Sequence, residues 1–591
     1  MEIEITNRVE MVEKLLKNTT RRFDALGYIK LFAILILGLI FVFLRNYPIS
    51  LIIVGLVVLA INIFLWYFHY KIHQSLTMMS NTIAINKRHL YRISGKWVEF
   101  PDIGAEFINH EHQYSSDLDI VGKKSLFQFL NTTHTWYGRQ AFVNDLLQPK
   151  YTKKTLLLRQ QAIKELSKDM DFLNQMEHSF SKIGLHKSME NLVKELKDTQ
   201  MFIKNRMLKR VLMYMPLVIL SFAVGVFLLN LESMYIPAVT LIAMQALVWI
   251  SGIIQTKRYL AGISRLPYKL NVYCEVIELI KGKNLESEIL QRVQAQLGTS
   301  QVSAQQAIKE LNKIADMVSF QYNPIIWAVL NVAFLWDIGC SIRFEQWKIK
   351  YAHLAEGWFL ALGEMESLLC FSMLPNVCNN ISLPSVTKER KIIAQNLGHP
   401  LIPNNIRVNN DITSIDDIFI ISGSNMSGKT TFMRTVGINL VLACAGSFVC
   451  AKTMTFPLVE VITSMRIADD LNEGISTFYA ELKRIKRIIS LAEKNPHMIF
   501  LIDEIFRGTN SVDRLSGARA VLNKLNNMGV LGIITTHDLE LCDITIKLKR
   551  IKNYSFSEKY HNNQIHFDYK LKQGKSTTTN ANFLMKMVGI S

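Results

Sequence analysis

Gly423-Ser424-Asn425-Met426-Ser427-Gly428-Lys429-Thr430, followed by Thr431, is the stretch that decides how the C-terminal part of this chain folds. It fits G-x-x-x-x-G-K-[ST], directly follows the β-branched run Ile418-Phe419-Ile420-Ile421, and precedes a helical run from Thr431 to Val441. Strand, loop and helix in that order are the context the motif needs. The glycines let backbone N–H groups wrap phosphate oxygens at a helix N-terminus. Lys429 would reach the outer phosphates and the Thr430 hydroxyl would ligate Mg²⁺. Residues Gly423 to Thr431 are thus the candidate nucleotide-binding segment, with ATP and Mg²⁺ as the expected ligands.

Working outward, a second apolar run, Met498-Ile499-Phe500-Leu501-Ile502, ends in Asp503-Glu504. A strand end there would set both carboxylates beside the phosphates, Asp503 for Mg²⁺ and Glu504 as the general base toward water. A third run, Val530 to Ile534, ends in Thr535-Thr536-His537-Asp538, which makes His537 a candidate sensor of the terminal phosphate. Strand-end Asp-Glu with strand-end His is the layout of the ABC-type ATPase class, which includes transporters. Their L-S-G-G-Q-like signature precedes the Asp-Glu strand. Here Leu515-Ser516-Gly517-Ala518-Arg519 follows it and is read as coincidental, while Asp469-Asp470-Leu471-Asn472-Glu473-Gly474-Ile475-Ser476-Thr477-Phe478 stands at the right place.

The remainder sets these motifs in a multidomain chain of 591 residues. Buried parallel strands alternating with helices after Pro384 predict an α/β domain over 385–591. Apolar residues at three- and four-residue spacing predict an all-α core over 125–384, and Trp336, Trp347 and Trp358 are expected in its interior. Residues 71–124 read as a connector. Seven cysteines, Cys274, Cys340, Cys370, Cys378, Cys444, Cys450 and Cys542, show no metal-ligand spacing and are expected to be reduced thiols.

A hydrophobic fraction of 49% is high, and four windows approach the roughly 20 apolar residues a membrane crossing needs. They fall in two hairpins, Leu26 to Leu44 with Ile49 to Phe68 in the N-terminal segment 1–70, and Val211 to Leu229 with Ile236 to Ile254 inside the helical core. Lys14, Lys17, Arg21 and Arg22 flank the first pair, and Lys204, Arg206, Lys209, Arg210, Lys257 and Arg258 the second. The expectation is a multi-pass protein of the cytoplasmic (inner) membrane, with both termini and the ATPase and core domains in the cytoplasm. A fifth apolar stretch, Ile325 to Leu335, is too short to span and holds Asn331, so it reads as a core helix. The net charge of +18 suits nucleic acid or an anionic membrane surface, and the flanks of the hairpins account for much of it.

With these motifs in place, the chain resembles the MutS family of DNA mismatch repair ATPases. The likeness rests on Gly423 to Thr431, the Asp-Asp…Gly-x-Ser-Thr-Phe segment, Asp503-Glu504-Ile505-Phe506-Arg507-Gly508-Thr509-Asn510 and Thr535-Thr536-His537. It extends to Gly398-His399-Pro400-Leu401, to Asn553-Tyr554 and to Phe567-Asp568-Tyr569-Lys570-Leu571, and upstream to Ser125–Thr132, Gly138-Arg139 and Leu146–Pro149. Ala361-Leu362-Gly363-Glu364-Met365-Glu366-Ser367-Leu368 looks like the family's final core helix. The resemblance implies a homodimer in which one subunit's loop binds ATP and the partner's Ser476 closes on the γ-phosphate.

There are departures. Ser424 and Ser427 replace the family's Pro and Gly, and Phe506 replaces a Gly. The family's Phe-x-Glu mismatch wedge has no counterpart, since Phe556-Ser557-Glu558 lies inside the ATPase domain. The second hairpin sits where relatives carry lever helices and a DNA clamp, and Ser591 falls near where they continue into a dimerisation extension. Two readings follow: a membrane-anchored MutS-like ATPase that binds mismatched or branched DNA, or an ATP-driven membrane switch without DNA. A transporter is less favoured, because the apolar helices hold few ionisable residues.

Overall fold

Met1–Asn131, Leu146–His178 and Phe371–Ser591 form one unit of the computed structural model, and Thr132–Asp145 with Ser179–Cys370 form the other. The structure describes residues 2–44, 48–149, 151–184, 188–197, 201–264, 266–298, 302–466, 477–506, 510–561 and 564–576.

The first unit is built on a six-stranded sheet. Its strands run, across the sheet, Lys572–Gln573, Ile551–Ser555, Ile418–Ser422, Leu531–Thr536, Met498–Asp503 and Glu460–Ser464. All neighbours are parallel except the Lys572–Gln573 edge. The three central strands are buried at every position, which is why their sequences are continuous apolar runs rather than alternating ones. Register pairs Ser422 with Thr536 and Asp503 with Thr535, so the chemically distinctive strand ends converge on one edge. A second, four-stranded sheet orders Ser385–Thr387, Thr453–Pro457, Lys391–Leu397 and Asn410–Ile415.

The expected helical block 125–384 is divided between the two units: residues 146–178 belong with the sheets. Two hydrogen bonds show why. Arg159 Nε donates to the Ala445 carbonyl at 2.7 Å and Gln160 Nε2 to the Pro384 carbonyl at 2.8 Å, both buried, so the helix Lys153–Ser167 docks on the α/β domain.

The N-terminal helices Glu2–Leu44 and Pro48–Ile93 belong to the same unit. Their far ends are buried at Ile5, Val9, Ile83 and Ile85, and Arg92 Nε is fixed to the Phe129 carbonyl at 2.6 Å. Their apolar middles are open, with Phe32, Leu35, Leu56, Ile63 and Trp66 all exposed. By length and composition four helical segments could cross a membrane: Val54–Ile93, Arg206–Leu228, Glu232–Leu260 and Trp336–Asn376. In the last, 83% of the apolar window is buried, which makes it a core helix; in the other three at most 17% is. Leu26–Leu44 falls in the first helix, several of whose side chains lie outside the described residues.

The second unit is helical among its described residues. Trp347 and Trp358 are buried as expected, and Trp336 is half-buried. The fifth apolar stretch is not a core helix. In Pro324–Phe334 it is Ile325 and Val329 that are exposed, at 77% and 61%, while Asn331 is fully buried. All seven cysteines are buried and unbridged.

Candidate nucleotide site

The loop that follows Ile418–Ser422 is held by its own side chains. Ser427 Oγ donates to the Ser424 carbonyl at 2.8 Å, and Ser424 Oγ to Glu558 Oε2 at 2.9 Å, so the two serines replacing Pro and Gly are both satisfied inside the fold. Gly423 is required: it lies at φ +150°, and a Cβ there would stand 2.6 Å from the Phe556 carbonyl. Asn425 leads to the tip at Met426, which is exposed. Gly428, at φ +108°, opens the helix Lys429–Cys444.

Lys429 is buried, and its ammonium donates to the Gly423 and Ser424 carbonyls at 2.8 Å each, inside the curve of the loop. One residue on, Thr430 Oγ1 donates to both Asp503 oxygens at 3.1 Å, and Thr535 Oγ1 also donates to Asp503. Glu504 follows in a left-handed turn at φ +52°, its backbone N–H donating to the Thr535 carbonyl at 3.2 Å. Its Oε1 lies 2.8 Å from His537 Nε2, which is in turn 3.5 Å from Lys429 Nζ. The sequence-predicted residues Lys429, Thr430, Asp503, Glu504 and His537 are therefore brought together. Thr431 lines the same pocket. Ser476, with Asp469 to Ile475, lies outside the described residues, as do Arg507, Gly508 and Thr509.

A cavity of about 430 Å³ leads away from the loop, walled by Ile402, Ile406, Val408 and Tyr569 and reached by Glu504 and Asn410. Its apolar wall and facing phenol ring suit a flat heterocycle next to the phosphate loop. Beside it stands His399, whose pKa burial pushes down to about 3, helped by the Arg434 and Arg407 charges. The residues present fit a nucleotide with Mg²⁺. A buried ammonium sits in a phosphate-sized loop, and Asp503 with Thr430 forms the carboxylate–hydroxyl oxygen pair that Mg²⁺ takes when phosphates and water complete its shell. Among the described residues no cluster of His, Cys, Asp or Glu offers an all-protein metal site.

Several residues escape a motif search. Phe556 and Glu558 hold the loop from just beyond the neighbouring strand Ile551–Ser555, and Tyr569 and Ile406 wall the cavity. Phe506, where the family has Gly, keeps the left-handed backbone, φ +63°, that Gly favours; its ring compensates by packing on Phe478 and over Gly517, inside the helix Ser511–Asn527. That helix holds Leu515 to Arg519. Two aspartates of the connector matter as well. Asp117, buried, accepts from Thr463 Oγ1 at 2.7 Å and from the Met465 and Arg466 backbone at 3.0 Å. Asp119 accepts from Arg466 at 2.7 Å and from Arg434, on the helix that starts at Lys429, at 2.9 Å.

Residues 419–590 match the family model described as MutS domain V. Over 522 residues, or 84% of this chain, it is 26% identical to the DNA mismatch repair protein MutS of Clostridium tetani. The C-terminal match and the long, weaker alignment make this chain similar to MutS proteins. The MutS protein of Clostridium novyi is similar over the same share, 26% identical across 514 residues, and covers 53% of that relative. The MutS protein of Methanococcoides burtonii is 34% identical over 233 residues, 37% of this chain and 26% of the relative. The chain thus spans about half the length, or less, of the curated MutS relatives it matches.

Proposed function

We propose that this MutS-like chain is a membrane-anchored ATPase, and that the observation carrying the reading is the grouping of Lys429, Thr430, Asp503, Glu504 and His537 at converging strand ends. ATP with Mg²⁺ supplies the phosphoanhydride and the charge that steadies it. Backbone N–H groups of Ser424 to Gly428, and Lys429 itself, hold and neutralise the phosphates. Thr430 and Asp503 are the residues that would hold the metal. Glu504, oriented by His537 and by its own backbone tie to Thr535, accepts a proton from the attacking water. Ser476 of a second copy closes the site, so that ATP holds two chains together and hydrolysis releases them.

The membrane part rests on the open apolar middles of the helices that could span. DNA enters through the relatives, named DNA mismatch repair proteins, and through the net +18 charge. We assign this chain DNA binding without mismatch reading by a wedge, since its single Phe-x-Glu is occupied: Phe556 and Glu558 are both buried beside the nucleotide loop. The other reading, a membrane switch without DNA, is favoured by the N-terminal helices sharing a unit with the nucleotide site.

Glu504→Gln tests the catalytic assignment: ATP is still bound while steady-state hydrolysis falls by about 10²-fold or more. Undiminished hydrolysis would remove Glu504 from its role. The same variant, locked with ATP and titrated with duplex, mismatched and junction DNA across a salt series, separates the two readings. Contacts with DNA phosphates give affinity that falls steeply with salt, whereas the switch gives weak, DNA-indifferent binding.

A further inference from the structure

The helix Pro324–Phe334 lies along the helix Tyr235–Leu260. Lys257 Nζ stands 4.5 Å from the centre of the Trp327 ring, Trp249 meets that ring edge-on at 5.1 Å, and Gln245 Nε2 donates to the Val332 carbonyl at 2.7 Å. From Lys257 to Gln245 the contacts therefore climb about 18 Å of helix rise, away from the basic pair Lys257-Arg258 and along the apolar helix. At Leu335 the backbone turns left-handed, φ +49°, and Trp336–Ser372 begins.

Polarity around this reversal is inverted relative to a water-soluble helix pair. The polar side chains face inward: Asn331 is fully buried and Gln245 nearly so. Ile325, Ile326 and Val329 face outward, beside the equally open Leu247, Ile250 and Ile254 of the neighbouring helix. The Gln245 and Asn331 side chains each bond backbone that the reversal leaves unpaired. Gln245 takes the Val332 carbonyl, the Asn331 carbonyl accepts from the Leu335 N–H at 2.9 Å, and Asn331 Oδ1 accepts from the Asp337 N–H at 3.0 Å. Trp327 Nε1 donates to Asp337 Oδ2 at 2.8 Å. In water such a turn could leave these groups to solvent. In hydrocarbon, non-helical backbone is tolerated only where protein satisfies it.

We infer that Pro324–Phe334 and the turn at Leu335 form a re-entrant element that dips into the acyl region of the bilayer beside the pair Arg206–Leu228 and Tyr235–Leu260, with lipid chains as the occupant of its Ile325–Val329 face. The inference rests on the membrane reading of that pair and adds to it a lipid-facing segment too short to span. Lys257 stands over Trp327 where the element enters, and Lys209, in the first turn of Arg206–Leu228, pairs with Glu345 at 2.5 Å. That placement suits a leaflet with anionic headgroups.

The test uses the full chain in nanodiscs of mixed zwitterionic and anionic phospholipid. A nitroxide is placed separately through Ile325→Cys and Val329→Cys, through Leu217→Cys and Ile250→Cys on the spanning pair, and through Ile415→Cys on the exposed rim of the α/β domain, with the unsubstituted chain as background because its seven thiols are buried. Collisional relaxation by oxygen and by a water-soluble nickel chelate is compared. Expected at 325 and 329 is high oxygen access with nickel access at least tenfold below that at 415, the same signature as at 217 and 250. High nickel access at 325 and 329 with a lipid signature at 217 and 250 overturns the re-entrant element and leaves the membrane reading standing. High nickel access at all four sites overturns both. Low access to both relaxants at 325 and 329 means protein covers the face, a second copy included, and also overturns the inference.

Discussion

Two apolar runs of this chain, Ile418–Ser422 and Pro324–Phe334, look alike in composition and end in opposite circumstances. The strand is buried at all five positions between parallel neighbours, and its burial brings Ser422 and the following loop to the edge where Asp503 and His537 arrive. The helix hides its one amide side chain and shows its isoleucines. An apolar run says that a segment avoids water; it does not say whether protein or lipid takes water's place. What decides is where the polar groups go. They gather at the strand's end around the Gly423–Thr431 loop, and they turn inward at the helix to satisfy a backbone reversal.

The largest effect that could break this comparison comes from the same charge placed in each run. Ile420→Asp puts a carboxylate at a fully buried position with no partner and should cost several kcal/mol, enough to abolish folding of the α/β unit and nucleotide binding with it. Ile325→Asp in detergent should leave nucleotide-dependent thermal protection unchanged while lowering recovery in the membrane fraction. Equal loss of nucleotide binding in both would show that the helix is an ordinary core element.

Next in size is the connector. Asp119→Ala removes the carboxylate shared by Arg434 and Arg466, and should destabilise the α/β unit by about 2 kcal/mol in urea unfolding while lowering ATP hydrolysis severalfold. Asp119→Asn, which keeps an acceptor and tolerates the left-handed backbone at φ +52°, should fall between. A full-strength hydrolysis rate in Asp119→Ala would confine the connector to a structural part.

Legibility follows the same division. The nucleotide loop, Asp503-Glu504 and His537 could be read because each is local: a short motif at the end of an apolar run, where the fold must place it. Ser424 with Glu558, the Tyr569 wall and Asp119 with Arg434 could not, because each joins residues of ordinary surface type that are distant in sequence and meet only after the sheet has formed. The same holds for residues 146–178: helical spacing groups them with the core, while Arg159 and Gln160, long-range donors, dock them on the α/β domain. Pro324–Phe334 exposes Ile325 and Val329 although it is too short to span and holds Asn331, because neither length nor one polar residue tells what surrounds a helix.

A smaller effect sharpens how tightly the connector is packed. Gly437 lies in the helix Lys429–Cys444, and a Cβ there would stand 2.7 Å from Leu118 and 2.8 Å from Leu501. Gly437→Ala gains about 1 kcal/mol of helix propensity and loses about 1–3 kcal/mol to overpacking, so a net loss of stability is expected. Leu118→Ala should make room, and the double variant should be more stable than the sum of the single effects implies. Strict additivity would mean that the connector yields without contest.

The smallest effect sets the two units against each other by pH. His399, beside the nucleotide cavity, has a folded pKa of about 3 against 6.5 unfolded, chiefly through burial and then through the Arg434 and Arg407 charges. Below pH 6.5 the unfolded chain takes a proton that the folded one refuses, so the α/β unit loses stability as pH falls, by up to about 1.4 kcal/mol per unit and less where solvent reaches the ring. Glu366 in the helical unit runs the other way. Burial raises it to about 7, against the pull of the Thr135 hydroxyl and the His134 and Thr135 N–H groups that donate to it. Between pH 4.5 and 7 the folded form holds a proton the unfolded chain has released, so the helical unit loses stability as pH rises through that window. Hydrogen exchange at pH 7 and pH 5.5, corrected for intrinsic rates, should show protection around Phe432 falling on acidification while protection around Gly138 rises. His399→Phe should flatten the first trend and Glu366→Gln the second. Parallel trends in both units would mean that neither group controls its surroundings.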